Sequence, residues 1–508
     1  MEKIAVIDLG TSSVRLVIAN IMPSVEEIAH FVVLDELKEP IVLAQDLDRD
    51  GFLKPPRIAG AVKTLQMFKK MCDAHKVEAI YPFTTSSVRK AKNLKSFLEE
   101  IQSVCGFKFR VLGEEEEATY IYQGVVNSLD IPKGIIMDIS GSTCQFIHYN
   151  RRNILHRVNL PFGTHTLNQI FDEGMPLTEQ SAMMQAYVLD QFSAVDWLNE
   201  IDSETQLIGV GGSFRNIAKI ARKLNRYPLN MTHNYNVDMP TFDAIYDSVK
   251  TLEPNQVGKI RGLSSQRSDA FLAALTCIKA FLEKSKITKL AISGCGIREG
   301  VMFSHTLPIT QERPLMDVAW HSVYTMMHYF DVNIKHAEHV CNLSVQLYKN
   351  LRVLHKLPRQ YVKVLRMAAL LHDAGMRIKY YDHAAHSFYF ILNANLNGFT
   401  HREVVLGAFV AHGHRQGSEF DKNLWAKYKD VVKEEDLMAV LKLSIILRIA
   451  ESLDRTMSGC VKSISCDVLG ESAIMKTEAE GDCSLEIKDA LGAVADFARI
   501  YRKNLEIL

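Results

Sequence analysis

Residues 4–20 read IAVIDLGTSSVRLVIAN, and residues 134–150 read GIIMDISGSTCQFIHYN. Aligned without a gap, the two stretches place Asp8 on Asp138. Each has an apolar run, an aspartate, a turn of small residues and a second apolar run, which predicts a β-hairpin with a tight loop. One such hairpin is a weak signal, but two copies that each open an α/β segment indicate a duplicated lobe. We therefore expect the two loops to face each other across one cleft.

The segments after each hairpin alternate between apolar runs of strand length and helical periodicity, which is typical of α/β layers. The predicted helices are 56–72, 92–104, 178–200 and 240–253. The predicted strands lie within 81–88, 206–214 and 289–300.

The pattern changes near residue 310, where LPITQERP (307–314) has the proline content of a linker. Helical periodicity then continues to about residue 455, and twelve of the eighteen histidines lie between His305 and His414. Alternation returns in SISCDVL, AIMKTEAE and CSLEIK, which predicts a small sheet before a last helix at 489–503. We expect four domains, at 1–125, 126–310, 311–460 and 461–508.

Composition excludes several classes of protein. The apolar share of 47% and the charged share of 23% are those of an ordinary globular protein. Lysine plus arginine equals aspartate plus glutamate at 59 each, so net charge gives no reason to expect nucleic-acid binding. The nine cysteines form no CxxC pair, which favours reduced thiols. With no signal-peptide pattern and no long apolar run, we expect a cytoplasmic protein without a membrane span.

Six motifs in order along the chain resemble those of the exopolyphosphatase/guanosine pentaphosphate phosphatase family. They are VIDLGTSSVRL (6–16), TTSSVRKAKN (84–93), VLGEEEEATYIYQGV (111–125), MDISGSTCQF (137–146), GVGGSFRNIAK (209–219) and SGCGIREGVM (293–302). The resemblance implies two actin-like (ribonuclease H-like) α/β lobes, then an all-α HD-type domain and a small α+β tail. It also implies a homodimer that releases terminal phosphate from inorganic polyphosphate or guanosine pentaphosphate.

Small residues in the turns can bring backbone N–H groups close to phosphate oxygens. The residues that we predict to bind phosphate are Gly10, Thr11, Ser12, Ser13, Arg15, Ser140, Gly141, Ser142, Thr143, Gly211, Gly212 and Ser213. By resemblance, Arg89 also contacts phosphate, for which a guanidinium offers two parallel donors.

The glutamate run 114–117 precedes a buried helical stripe that begins at Ala118. Acidic residues at a helix start interact favourably with its dipole, which explains a run but selects no member of it. Periodicity places Glu114 nearer the buried stripe than Glu117. The resemblance instead implies that Glu117, directly before the alanine, is the catalytic base that deprotonates water.

The resemblance further implies that Asp138 lies at a Mg²⁺ (or Mn²⁺) ion, with Asp8 as its counterpart in the other hairpin. Where the family usually reads DIGGGSTE, this chain reads Asp138-Ile-Ser-Gly-Ser-Thr-Cys-Gln145. Two glycines are replaced by Ser140 and Ser142, and the closing glutamate by Gln145. An amide in place of a carboxylate predicts weaker metal binding.

The second half resembles an HD domain, whose metal set has the order H…HD…D. The resemblance assigns His336, His372 and Asp373, with Glu451 as the final acid and Asp454 nearby; His386 and His412 match the further histidines. Imidazole and carboxylate together suit zinc, manganese or iron, so a second metal is one reading. A metal-free structural module is the other.

Two other functions fit the same motifs. The altered 138–145 loop favours a non-catalytic sensor of phosphorylated nucleotides or polyphosphate. The other function is that of an ATP-dependent kinase or chaperone of the actin superfamily. The EEEEA motif, which resembles that of the phosphatases, argues against it.

Overall fold

The computed structural model describes residues 2–10, 12–25, 28–41, 43, 51–171, 174–307, 315–416 and 420–508. These residues form two compact units. The first contains residues 1–226 and 230–318, and the second contains residues 227–229 and 319–508. Residues 308–314 of the predicted linker, and Thr11 of the predicted phosphate loop, lie outside the described residues.

The first unit contains two sheets with the same core topology. The five-stranded sheet has the order β3-β2-β1-β4-β5, with β1 Glu2–Leu9, β2 Ser13–Val25, β3 Ile28–Pro40, β4 Ala79–Thr84 and β5 Arg110–Val111. The six-stranded sheet has the order β10-β11-β9-β6-β7-β8, with β6 Lys133–Ile139, β7 Cys144–Asn150, β8 Asn153–Leu160, β9 Gln206–Val210, β10 Tyr235–Val237 and β11 Leu290–Ile292. In both sheets an antiparallel meander of three strands is followed by a parallel strand, as the duplicated hairpins predict.

The registers place equivalent residues at equivalent positions. Asp8 in β1 lies opposite Arg15 in β2, and Asp138 in β6 lies opposite Gln145 in β7. Directly opposed residues of an antiparallel pair project from the same face of the sheet. Each hairpin therefore presents an aspartate beside one polar partner.

Helices cover both sheets. In the first unit they are α1 Pro55–His75, α2 Ser86–Arg89, α3 Leu94–Cys105, α4 Glu114–Val126, α5 Thr164–Ile170, α6 Leu177–Ser193, α7 Gly212–Leu224, α8 Met239–Lys250, α9 Pro254–Val257, α10 Ser268–Ser285 and α11 Ile297–Thr306. The prediction of one helix over 178–200 is wrong at its end, because α6 stops at Ser193 and a separate 3-10 turn spans Asp196–Asn199.

Helices α4 and α11 pack with almost no space between their backbones. A methyl group on Gly124 of α4 would overlap the carbonyl oxygen of Gly296, and one on Gly300 of α11 would overlap that of Tyr120. Because glycine has no Cβ, the two helices can approach where any other residue would separate them. Apolar α4 residues, including Tyr122 and Val125, are buried against the second sheet.

The second unit is largely helical. Its helices are α12 Val318–Tyr329, α13 Ile334–Asn350, α14 Arg352–His355, α15 Tyr361–Leu371, α16 His383–Asn393, α17 His401–Gln416, α18 Lys422–Ala426, α19 Asp436–Ser452, α20 Ser484–Leu491 and α21 Val494–Tyr501. Its three-stranded sheet has the order β12-β13-β14, with β12 Val461–Leu469, β13 Ser472–Ala479 and β14 Asn504–Ile507.

Two predictions for the tail are wrong. The stretch CSLEIK begins α20 rather than a strand, and the third strand, β14, follows the last helix. The single helix expected at 489–503 is divided between α20 and α21. Among the described residues, no helix is both long enough and apolar enough to cross a bilayer.

The α4–α11 contact gives a first prediction. Gly124→Ala should lower the free energy of unfolding by about 1–3 kcal/mol, the usual cost of overpacking, since backbone must move to admit the methyl group. Gly60→Ala in α1 is the matched control. No atom lies within 4 Å of a Cβ there, so the higher helix propensity of alanine should raise stability by about 1 kcal/mol. Urea unfolding measures both, and equal effects would contradict the contact.

Candidate active site

Asp8 and Asp138 are the second-last residues of β1 and β6, so each lies close to its hairpin loop. Burial raises the pKa of Asp8, while Arg298 and Arg15 act to lower it. Burial likewise raises the pKa of Asp138, to about 6, and the negative charge of Asp8 contributes to that rise. The two aspartates therefore influence each other, as expected if both hairpins face one cleft.

Four arginines act on this pair of carboxylates. Arg215 and Arg267 lower the pKa of Asp138, in opposition to burial. Burial and the charges of Arg298, Arg215 and Arg267 lower the pKa of Arg15 to about 10, although Asp8 opposes them. So much positive charge around few carboxylates makes the region suited to a polyanion.

Sequence reasoning identified only part of this cluster. It singled out Arg15, but it gave no role to Arg215 and Arg298, which lie within the quoted motifs 209–219 and 293–302. It missed Arg267, which ends a 3-10 turn before α10 and carries no motif. Lys38 extends the cluster, because burial and the charges of Arg15, Arg267 and Arg215 lower its pKa; its Nζ also donates to Oε1 of Gln266 at 2.8 Å.

The glycines at the start of α7 make room for charged side chains. Gly211 has a φ of +94°, and a Cβ there would lie 2.7 Å from Oδ1 of Asp138. A Cβ on Gly212 would lie 2.8 Å from Nη2 of Arg267. Ser213 is buried at the helix start. Gly211 and Gly212 thus allow Asp138 and Arg267 to approach the backbone. The contacts of Gly211, Gly212 and Ser213 with phosphate remain predictions.

The loop 140–143 is closed by its own first serine. Oγ of Ser140 accepts the backbone N–H groups of Ser142 and Thr143 at 3.2 and 3.0 Å. The Ser140 hydroxyl therefore occupies two donors that we predicted to bind phosphate. The carbonyls of Ser140 and Gly141 accept N–H groups from the first turn of α5, which fixes the loop against that helix. In the first loop, Gly10 N–H donates to the carbonyl of Ser13 at 3.1 Å.

Oxygen-bearing side chains form a row across three strands beside Asp138. Gln145 lies opposite Asp138, and Asn159 lies opposite Gln145 in β8. Oε1 of Gln145 and Oδ1 of Asn159 are buried and have no hydrogen-bond partner among the described residues. Asn159 was missed from the sequence, since an asparagine late in an edge strand gives no signal on its own.

Glu117 lies in the first turn of α4, and Arg89, at the end of α2, contacts the start of that helix. Glu117 is half-buried beside the buried Ala118, whereas Glu114 is 55% exposed, so the periodicity that favoured Glu114 as the more buried was misleading. Arg89 donates to the carbonyl of Leu112 at 3.0 Å and to Oε1 of Glu114 at 2.9 Å. To bind phosphate as predicted, Arg89 must first release its salt bridge to Glu114.

In the second unit, donor atoms of His336, His372 and Asp373 lie within 4.8 Å of one another. Asp373 forms a second such group with His383 and His414. These groups contain His383 and His414, and neither contains His386 or His412, the further histidines that the resemblance implied. His383 precedes His386 by three positions, close to one helical turn, so sequence spacing does not separate them.

Glu451 and Asp454 have different surroundings. Glu451 accepts from Arg415, and its Oε2 lies 3.3 Å from Nε2 of His414. Asp454 instead accepts Nδ1–H of His336 at 2.7 Å. Burial lowers the pKa of His414 to about 4. Glu451 thus lies with the second group rather than with His336 and His372.

Comparison with known proteins identifies the family. The model of the Ppx/GppA phosphatase family matches residues 6–308, and that of Ppx/GppA phosphatase domain III matches residues 318–487. The chain therefore belongs to the Ppx/GppA phosphatase family and is a hydrolase, which confirms the resemblance read from its motifs.

Curated relatives share most of the chain. A guanosine-5'-triphosphate,3'-diphosphate pyrophosphatase from Pseudoalteromonas atlantica is 26% identical over 464 residues, covering 88% of this chain and 86% of the relative. One of the same name from Vibrio vulnificus is 23% identical, covering 81% and 80%.

Solved structures match the fold of part of the chain. An exopolyphosphatase from Cytophaga hutchinsonii has a TM-score of 0.55 at 24% identity, covering 61% of this chain and all of that one. A Ppx/GppA family member from Aquifex aeolicus has a TM-score of 0.53 at 24% identity, covering 60% and 97%. These likenesses confirm the mixed α/β, actin-like lobes.

The raised pKa of Asp138 gives a prediction about stability. Its folded-state value of about 6 exceeds the usual 3.8, so ionising this carboxylate costs folding free energy that grows as pH rises from about 3.8 to about 6 and is constant above that range. In the presence of a chelator, the stability of Asp138→Asn relative to wild type should increase by about 1 kcal/mol when the pH is raised from about 5 to about 8. Urea unfolding at both values measures this, with Asp73→Asn as the surface control. If the difference in unfolding free energy between Asp138→Asn and wild type were the same at both pH values, the raised pKa of Asp138 would be contradicted.

Proposed function

We propose that this chain hydrolyses the terminal phosphoanhydride bond of guanosine pentaphosphate or of inorganic polyphosphate. The observation that carries the proposal is the convergence of Arg15, Arg215, Arg267 and Arg298 on the paired aspartates. Both substrates are polyanions, and hydrolysis of their terminal bond increases negative charge on the leaving phosphate. The names of the curated relatives support the nucleotide substrate.

Glu117 is the proposed base. It lies at the start of α4, half-buried and next to Ala118, which packs against the second sheet, and there a carboxylate can orient a water and accept its proton. The water oxygen forms a bond to the terminal phosphorus while the bond to the bridging oxygen breaks. The arginines neutralise charge on the phosphates, and Arg89 joins them once it releases Glu114.

Asp138 and Asp8 are the proposed carboxylates at a Mg²⁺ (or Mn²⁺) ion. The donor set fits a hard cation, because the buried oxygens of Gln145 and Asn159 have no hydrogen-bond partner among the described residues and lie in the same row as Asp138. When bound, the ion would neutralise charge on the phosphate oxygens. A carbonyl oxygen at position 145 retains a ligand atom but lacks the charge of a carboxylate.

We further propose an oligomeric state, a location and a domain type for the second unit. The chain forms a homodimer and resides in the cytoplasm, without nucleic-acid or membrane partners. Its helical second unit is an HD-type domain in which His336, His372 and Asp373 hold a transition metal, for which imidazole and carboxylate are suitable ligands.

Replacement of the proposed base is the direct test. Glu117→Gln should reduce phosphate release by roughly 10²–10⁴-fold while substrate still binds, because the amide accepts no proton. Glu115→Gln is the matched control on the same helix turn. The Glu115 side chain is 82% exposed and pairs with Arg157, so its loss should leave turnover near wild type.

Phosphate release is measured from guanosine pentaphosphate, polyphosphate and ATP in parallel. Turnover of either of the first two in preference to ATP supports the proposal. Binding of both without turnover would establish the sensor, and ATP turnover alone would establish the kinase or chaperone. Near-wild-type rates for Glu117→Gln would rule out Glu117 as the base.

The glutamine at position 145 gives a second prediction for this site. Gln145→Glu should lower the Mg²⁺ concentration needed for half-maximal phosphate release, because attraction to a divalent ion exceeds repulsion from Asp138. Without metal, that repulsion should weaken polyphosphate binding. A magnesium titration of both proteins measures the midpoint. An unchanged or higher midpoint would mean that the site is adapted to glutamine.

A further inference from the structure

Cys460, Cys483 and Glu486 form a compact cluster beside the small sheet of the second unit. Cys460 directly precedes β12, Cys483 directly precedes α20, and Glu486 lies in the first turn of that helix. One ligand atom from each residue, two sulfurs and a carboxylate oxygen, lies within 4.8 Å of the other two. All three residues are buried, with exposed fractions of 8%, 6% and 1%.

The fold brings these residues together at the open end of a hairpin. Strands β12 and β13 pair antiparallel, and just beyond their ends the N–H of Glu480 donates to the carbonyl of Cys460 at 2.9 Å. The chain therefore returns to Cys460 shortly before it reaches Cys483. Cys483 and Glu486 are three positions apart at the start of α20, a spacing that brings side chains close together on one helix face.

Glu486 is a buried carboxylate without a cation. Its Oε1 accepts the backbone N–H of Thr456 at 3.2 Å and the hydroxyl of the same residue at 2.5 Å. Among the described residues, no lysine, arginine or histidine forms an ion pair with this carboxylate. Buried charges in proteins are paired or coordinate metals, because an isolated charge loses its hydration. The two hydrogen bonds leave the negative charge of Glu486 uncompensated.

The thiol of Cys483 lies in the same negative surroundings. Burial raises its pKa to about 12, and the Cys460 thiol and the charges of Glu486 and Asp482 add to that rise. The electrostatic potential that keeps the proton on this thiol attracts a cation, which displaces the proton when it binds.

The ligand types and their spacing suit zinc. Thiolates select soft or borderline cations such as zinc, and carboxylates also bind this ion. Ligand atoms about 2.0–2.3 Å from a tetrahedral zinc ion lie about 4 Å from one another. The separations within the cluster, none above 4.8 Å, are already close to that distance.

We propose that Cys460, Cys483 and Glu486 bind one zinc ion. The two thiolates and Oε2 of the carboxylate supply three ligands, and water completes the tetrahedron. The site contains no histidine and shares no residue with the cluster around Asp373. It does not depend on the function proposed above.

The ion has a structural role. It joins the open end of the β12–β13 hairpin to α20 and, through Glu486, to the loop 454–459, where Thr456 donates to that carboxylate. The same loop carries Arg455 and Met457, which line a pocket beside the histidine cluster. Zinc binding therefore restrains two residues of that pocket.

Cobalt substitution in the full chain tests the sulfur ligands. The protein is stripped with chelator under reducing conditions and loaded with Co²⁺. Thiolate ligands give an intense near-ultraviolet charge-transfer band that imidazole and carboxylate ligands do not give, so the histidine cluster does not contribute. Wild type should show this band, and Cys483→Ser should lose most of it. Cys466→Ser, a matched change within β12 and outside the cluster, should leave the band unchanged.

Zinc counting by plasma mass spectrometry tests the stoichiometry. After loading and dialysis, Cys460→Ser and Cys483→Ser should each carry one ion fewer per chain than wild type. Cys466→Ser should carry as many ions as wild type. Circular dichroism confirms that the variants compared are folded.

Glu486→Gln distinguishes a metal ligand from a structural hydrogen-bond acceptor. The amide keeps an acceptor for Thr456 but removes the buried charge. Without metal, the variant should therefore be at least as stable to urea as wild type, whereas zinc should stabilise it less than wild type. Its zinc affinity, measured by competition with a chromogenic chelator, should fall at least about tenfold. A purely structural Glu486 would give the same stability change with and without zinc.

Three results would overturn the zinc site. The first is absence of the charge-transfer band in wild type, which requires no variant to fold. The second is equal zinc content in Cys483→Ser and Cys466→Ser. The third is a disulfide between Cys460 and Cys483 in freshly purified wild type, detected as two missing thiols when the denatured chain is titrated without reductant.

Discussion

The contact between α4 and α11 is the constraint on which the first unit depends. Each helix carries a glycine where the backbone of the other lies too close for a Cβ, so their relative position is fixed by backbone contact rather than by adaptable side chains. Glu117 lies about two turns before Gly124 in α4, and Arg298 lies less than one turn before Gly300 in α11. The separation of the two helices therefore sets where the proposed base and one of the cations can lie.

Charge in the cleft is arranged at a cost to stability. Two aspartates with raised pKa values and four arginines lie together, and burial opposes the charged form of every one of these groups for which a shift is resolved. The negative charges of Glu299 and Glu36 hold the pKa of Arg298 above its ordinary value against burial, and Glu36 also accepts a hydrogen bond from Arg298 at 2.7 Å. The glycines at 211 and 212 let Asp138 and Arg267 approach the backbone more closely than other residues would permit. A site with this much unscreened charge is organised for a charged ligand and not for stability alone.

In the second unit, unlike the cleft of the first, most of the converging polar groups are histidine rings held by hydrogen bonds rather than buried charges. Its histidines are held by carbonyls and by Asp454, so that each ring is oriented before any ligand binds. Fixed tautomers cost nothing in the helices that supply them, because carbonyls near helix ends have acceptor capacity to spare. The result is a set of ligand atoms that converge from distant parts of the chain, as in metal sites whose outer partners hold the ligands in place.

The sequence by itself determined the duplicated hairpins, the two aspartates and the helix that begins at the glutamate run. Those features follow from periods of two and 3.6 residues, which are local properties of the chain. It did not determine that Arg267 joins Arg15, or that Asn159 completes a row with Gln145, because cross-strand and interhelical neighbours are set by register and packing. Nor did it separate His383 from His386, or identify CSLEIK as helical, since one helical turn and a six-residue alternation each fit two structures. Only the tertiary structure decided these, because each depends on contacts between residues far apart in sequence.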